Sequence, residues 1–228
     1  MRTTFVIALA AIISAPAAAQ RGCGIDTDPT KRIEGTGLLP GGWMVRFDPV
    51  PSNCTPLKTT DVNFVTMGAG MHVTSGPAAI YYNPGNVLTG EFTVSATFAN
   101  RTTAGHEALG VFIGGKDLQD STQRYVYLVV KPASGEILIS QRTGDGKPKA
   151  IDGLRTEPAV IREPAGGGAA SNKVAIRVEK DSVKFLVNEK VVRAVTKSQL
   201  GAPTDGLVGL RVNHNLNVHI DGFAVTKQ

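Results

Sequence analysis

In segment after segment of this chain, apolar side chains recur at every second position, a rhythm that only extended strands packed in layers can bury. Phe92, Val94, Ala96 and Phe98 share one face of the run 90–98. Val174, Ile176 and Val178 do the same between Lys173 and Glu179, leaving Arg177 and Glu179 outward. Ser182 to Arg193 reads as a hairpin about Asn188-Glu189. A primed turn there needs positive φ at its second position, where glycine is the easier residue, so Glu189 predicts a slightly different turn. Ala108 to Gly115 and Tyr125 to Val130 are apolar on both faces and read as central strands covered on each side. Gly206 to Val212 and Leu216 to Val225 complete the chain as two more strands. Roughly a dozen short strands, with one helical turn at Lys197 to Leu200, predict an all-β, two-sheet antiparallel jelly-roll sandwich.

The N-terminal end reads differently. Arg2 precedes a nine-residue apolar run, Phe5 to Ile13, and Ala17-Ala18-Ala19 supplies a small-residue cleavage site. These features predict a Sec-type signal peptide over 1–19, a mature start at Gln20, and a periplasmic or extracellular protein. The apolar run is too short for a membrane span, and no later stretch is long and apolar enough. Cys23 follows Gln20-Arg21-Gly22, which does not match a lipoprotein acylation site. Residues 20–56 are rich in Gly and Pro and are expected to form a leader, with the sandwich over 57–228. The chain has two cysteines, Cys23 and Cys54. An oxidising compartment would join them as a disulfide closing that leader; free thiols or a bond between chains are the alternatives. Thr143 to Ser171, carrying three prolines and the Gly166-Gly167-Gly168 run, reads as long loops with one short strand near Ala159 to Arg162.

The net charge of +5 and pI near 9.3 raise the question of nucleic acid. The basic residues are scattered among acids, however, as in Glu179-Lys180-Asp181 and Asn188-Glu189-Lys190, and form no stripe facing phosphates. No nucleic-acid partner is expected, while affinity for anionic polymers or envelope surfaces remains open.

The strand order carries a resemblance. Gly110-Val111-Phe112-Ile113-Gly114-Gly115 precedes Tyr125-Val126-Tyr127-Leu128-Val129-Val130-Lys131 and Gly135-Glu136-Ile137-Leu138-Ile139. Phe185-Leu186-Val187-Asn188 and Gly206-Leu207-Val208-Gly209-Leu210-Arg211-Val212 follow. Together, over about Trp43 to Lys227, these runs resemble the concanavalin A-like lectin/glucanase superfamily. Within it the chain is most similar to bacterial domains of the 3-keto-disaccharide hydrolase type, themselves similar to laminin G-type modules. The resemblance implies a glycan or cell-envelope ligand and, on its enzymatic side, a glycoside hydrolase or lyase. Family 16 glycoside hydrolases on this fold place two glutamates about an aspartate at alternate strand positions. The nearest strings here, Glu136 to Ser140 and His219 to Gly222, lack the further carboxylates, so a retaining mechanism does not carry over. Legume-lectin metal ligands do not map either.

Period two also groups candidate ligand contacts on an exposed concave sheet. Tyr125, Tyr127, Val129 and Lys131 share one face; Gly110, Phe112 and Gly114 share another strand's face; Arg142 shares parity with Leu138 and Ser140. Phe112, Tyr125, Tyr127, Lys131 and Arg142 are therefore the candidate ligand-binding set, with glycines beside them giving a flat ligand access to backbone. Tyrosines at such positions serve more commonly as core residues with satisfied hydroxyls. His106 and Glu107 are the candidate acid–base pair, although a turn-closing role for His106 is the commoner use of such a residue. His72, His214 and His219 show no paired spacing on one element, so no metal site is expected. Asp117, Asp120 and Asp205 sit in loops where calcium could bind, without the ligand pattern of a calcium loop, and no cofactor is expected. The leading expectation is a carbohydrate-binding module without catalysis. The alternatives are a glycoside-acting enzyme and a structural envelope module. Titratable side chains meeting in a pocket would favour the enzyme, and a face filled by bulky side chains the structural module.

Overall fold

A computed structural model describes residues 33–100, 107–165 and 168–228. Its strands are β1 (Met44–Phe47), β2 (Val62–Met67), β3 (Gly70–Ser75), β4 (Ala79–Leu88), β5 (Phe92–Asn100), β6 (Leu109–Lys116), β7 (Arg124–Lys131), β8 (Glu136–Thr143), β9 (Lys149–Thr156), β10 (Ser171–Val178), β11 (Ser182–Val187), β12 (Lys190–Thr196), β13 (Gly206–Val212) and β14 (Leu216–Lys227). They form two seven-stranded antiparallel sheets, ordered β1-β4-β13-β6-β7-β8-β9 and β12-β11-β10-β5-β14-β3-β2. Single 3-10 turns occur at Thr59–Asp61 and Lys197–Gln199.

Alternation places one side of each sheet in a shared core. Phe92, Val94, Ala96 and Phe98 of β5 and Val174, Ile176 and Val178 of β10 are buried there, facing Leu109, Val111 and Ile113 of β6 and Val126, Leu128 and Val130 of β7. Each such Phe or Val contributes about 1.5–3 kcal/mol by leaving water. Trp43 closes one end, meeting Phe64 and Phe223 edge-on at 5.3 and 5.4 Å between ring centroids. As the sequence predicts, β6 and β7 are covered on both faces. β1 lies inside the segment set apart as the leader, yet pairs with β4 in full register from Met44↔Tyr82 to Phe47↔Ala79. Cys23 lies outside the described residues; Cys54 closes a turn in which its N–H donates to the Pro51 carbonyl at 2.9 Å.

Three expectations need correction. The strand in 143–171 is β9, at Lys149–Thr156, and residues 159–162 are loop. β9 is an edge strand, mostly exposed and joined to β8 with two register shifts, so it lacks alternation in its sequence. Ala159 and Val160 are buried because the loop is stitched to the sandwich by the fully buried Asn172. Its carboxamide accepts from Ile161 N–H at 2.8 Å and donates to the Ile161 carbonyl at 2.9 Å, in place of a neighbouring strand. The hairpin turn is a primed one after all, with φ +49° at Asn188 and +69° at Glu189. Asn188 anchors it: its side chain accepts from Lys173 N–H at 2.8 Å and donates to the Ala159 carbonyl at 2.8 Å. Finally, Gly114 does not open the sheet to a ligand. It sits in a β-bulge at φ +67°, where a Cβ would lie 1.8 Å from the Pro203 carbonyl oxygen.

One side chain ties the edges of the two sheets together on one flank of the sandwich. Arg155 of β9 pairs with Asp152 (3.1 Å) and Glu157 (2.6 Å), and its third nitrogen donates to the Val192 carbonyl of β12, the edge of the other sheet, at 2.9 Å.

Candidate functional site

The outer face of the first sheet collects the predicted ligand set. Register places Met44, Tyr82, Gly209, Phe112, Tyr127, Ser140 and Ala150 in one row across seven strands. The next row holds Arg46, Ile80, Arg211, Gly110, Val129 and Leu138. Phe112 and Tyr125 stand 5.4 Å apart, and Tyr125 and Tyr127 5.8 Å, by ring centroids. Gly209 makes this possible, since a Cβ there would meet the Phe112 ring at 2.8 Å. The sequence suggests an exposed face, but Phe112, Tyr125, Tyr127 and Arg142 are all recessed, at 0–5% exposure. Lys131 lies at the far end, opposite Glu136.

An ion-pair network crosses this floor. Asp48, just past β1, takes a bidentate contact from Arg211 at 2.6 and 2.7 Å and a third contact from Arg142 at 3.2 Å. Arg142 also donates to the Tyr125 hydroxyl at 3.0 Å and to the Gly146 carbonyl at 2.7 Å. Arg211 lies over the Tyr127 ring, 5.6 Å from its centroid, and donates to Asn213 at 3.0 Å. At the rim Arg46 meets Asp145 at 3.1 Å, and Asp145 accepts from Gln123 at 2.6 Å. Gln119 donates to the Tyr82 hydroxyl. The two central guanidinium side chains are 4–5% exposed, whereas Asp48 is 27% exposed and is the member of the trio that meets solvent.

Electrostatics follow from this packing. Burial alone would raise the Asp48 carboxyl, but the charge and hydrogen bonds of Arg211 and the charge of Arg142 outweigh it and hold the group below its ordinary value. Burial pushes the Tyr125 hydroxyl up, so it stays protonated at neutral pH and can donate.

His106 lies outside the described residues. Glu107 is placed beside His214, 4.0 Å from its Nδ1, with both side chains 40% exposed. Asn213 donates to Glu107 at 3.4 Å and so links this pair to Arg211. The His214 contact, partly opposed by burial and helped by Asn213, draws the Glu107 carboxyl below its ordinary value. Glu107 is thus a carboxylate at neutral pH, suited to accept a proton or orient an imidazole rather than to act as an acid. His72 and His219 face each other across β3 and β14, with rings 6.2 Å apart, on the second sheet. No group of three metal-ligating side chains occurs among the described residues. Asp205 accepts from Gly90 N–H at 3.2 Å, and Asp117 and Asp120 share a turn.

Parity in the sequence identifies Phe112, Tyr125, Tyr127 and Arg142 as neighbours. It misses Asp48, Arg211 and Asn213, the residues that bind the face together. The available signal was Arg211 at an outward position in a strand otherwise without charge, which demands a buried partner.

No protein-family profile matches the chain, and no curated protein does. Solved structures match in fold. The carbohydrate-binding module CBM66 from Bacillus subtilis aligns with a TM-score of 0.58 at 11% identity, over 82% of this chain and 96% of that one. A Bacillus subtilis protein of unknown function with a galectin-like fold aligns at 0.53 and 11% identity, over 81% and 89%. Alginate lyase A1-II′, a member of polysaccharide lyase family 7, aligns at 0.52 and 13% identity, over 82% and 95%. Identities this low speak for architecture alone. The chain has the concanavalin A-like jelly-roll fold.

Proposed function

We propose that this chain is a secreted or periplasmic glycan-binding module that holds its ligand over the outer face of the first sheet without breaking bonds. One observation carries the reading: a carboxylate, Asp48, is fixed by three charge-assisted contacts above a floor of aromatic rings and remains part-open to solvent. Its Oδ2 accepts from Arg211 alone and keeps a lone pair for a ligand hydroxyl, while the recessed Tyr125 and Tyr127 form the packed floor that holds the two arginines in place. The network is ordered before any ligand arrives, which lowers the entropy cost of binding. The fold's occurrence in the carbohydrate-binding module and the lyase is compatible with this reading. The export signal and the Cys23–Cys54 bridge belong to the same proposal. Among the described residues no helix is long and apolar enough to cross a membrane.

A second reading, an enzyme acting on a glycoside or an oxidised sugar, is favoured by the Glu107–His214 pair and its link through Asn213 to Arg211. A glycan array run beside a turnover screen of 3-keto and ordinary disaccharides separates the two. Binding that falls at least tenfold in Asp48→Asn, with no turnover, supports the module. Turnover lost in Glu107→Gln or His106→Ala makes the protein an enzyme. A correctly folded chain that binds no glycan leaves the structural envelope module.

A further inference from the structure

The opposite side of the sandwich carries a second, unrelated feature. On the outer face of the second sheet, Ala175 of β10 pairs with Ser95 of β5, and Ser95 with Ala224 of β14. Three small side chains therefore line up across three adjacent strands, perpendicular to them. One row over, Arg177 pairs with Thr93 and Thr93 with Thr226; on the other side Lys173 pairs with Thr97. Long side chains flanking short ones make a trough, and its open volume is about 510 Å³. That volume lies within the range of small-ligand sites.

The lining is polar and its charge is unbalanced. Thr93, Ser95 and Thr226 present hydroxyls along the floor, and Gln228 reaches over to Thr93 at 3.5 Å. Lys173 already meets Glu189 at 3.2 Å, and Glu179 is turned away to Lys184 (2.6 Å) and Ser182 (2.9 Å). Arg177 has no carboxylate within 4.0 Å among the described residues, and its Nε is buried without a hydrogen-bond partner. Its two terminal nitrogens are the donors open to a ligand, and such a pair suits a planar anion that takes two parallel hydrogen bonds. Hydroxyl side chains repeating at the strand spacing suit a chain of sugar hydroxyls, and no aromatic ring lines the trough.

We infer that this trough is a second binding site, for a short oligosaccharide bearing carboxylates, with Arg177 taking a carboxylate and the Thr93–Ser95–Thr226 floor taking hydroxyls. It is separate from the aromatic face, so its failure leaves the proposed function untouched, and the reverse. The test is calorimetric titration of the full mature chain with tri-galacturonate and with its methyl ester, accompanied by amide chemical-shift mapping. The acid binds saturably and shifts amides in 93–97, 173–177 and 224–228, and the ester binds at least about tenfold more weakly. Arg177→Gln weakens the acid by about tenfold, whereas Lys149→Gln, an equal charge loss on the exposed edge strand β9, changes it less than about twofold. Ser95→Leu, which fills the trough from its floor, abolishes binding with melting unchanged, and Asp48→Asn on the other face does not affect it. Equal affinity for acid and ester, equal losses in Arg177→Gln and Lys149→Gln, or shifts on the first sheet would each overturn the site.

Discussion

The two outer faces of this sandwich are built on the same pleat and solve opposite problems. On the first sheet, large rings and two arginines are gathered round one carboxylate, and the central arginines are spent on that carboxylate and on its neighbours. On the second, alanine, serine and threonine leave a trough, and its arginine keeps an unused donor. A face whose polar groups satisfy one another is a structural element as much as a surface, because removing one member strands the rest in low dielectric. A face of small residues contributes little to folding and can be changed cheaply. The contrast separates a face whose binding groups are also structural from one whose groups are free of that duty.

The sharpest way to break this contrast is to remove one arginine from each face. Arg211→Ala should lower the free energy of unfolding by about 3–5 kcal/mol in urea, since Asp48 loses its bidentate partner and Tyr127 its cover. Arg177→Gln should change it by less than about 0.5 kcal/mol. Comparable losses from the two would dissolve the distinction. Next in size is the proposed Cys23–Cys54 bridge, which would tether the segment that follows Asp48. Reduction should cost about 3 kcal/mol and lower the melting temperature, and identical melting of oxidised and reduced chains would remove the bridge.

Acid provides a third comparison. The Asp48 carboxyl is held below its ordinary 3.8 in the folded state, so the unfolded chain binds more protons in the interval beneath that value. The stability Asp48 supplies is complete above pH 3.8 and is lost as pH falls through its lower folded value. Asp48→Asn should flatten the acid limb of the unfolding curve, and Arg177→Gln should leave it unchanged; a limb untouched by Asp48→Asn would detach the network from acid stability. The smallest effect belongs to the rim of the trough. Glu189 occupies φ +69°, so Glu189→Gly should stabilise the hairpin by about 1 kcal/mol, measured as a rise in melting temperature. A fall instead would mean that the Lys173–Glu189 pair outweighs the backbone strain.

The same contrast explains what could be read from the residues alone. β5, β6, β7 and β10 were legible because one face or both is buried along the strand, which writes a regular pattern into the sequence; β14 was legible through its first half, Leu216 to Ile220. β9 was not, because an edge strand exposes both faces and is held by backbone bonds that any residue supplies. The neighbours of Tyr125 were legible through parity. Asp48 was not, because its partner Arg211 lies 163 positions away and only the closing of β1 onto β4 brings them together. Glu107 also meets His214 from the β13–β14 connection, a neighbour 107 positions away that no local pattern announces. Local pattern fixes which way a side chain points; it carries no information about which distant strand supplies the counter-charge.

Arg155 has a consequence for the protein's behaviour in a crowded compartment. A sheet margin is where a stray strand would dock and begin a fibril, and here two margins lie side by side on one flank. By gripping the Val192 carbonyl, the guanidinium occupies an acceptor that an incoming strand would need and sets a charge in its path. One residue thus guards the β12 border against self-association, and its loss would show first as turbidity on storage rather than as any change in what the chain binds.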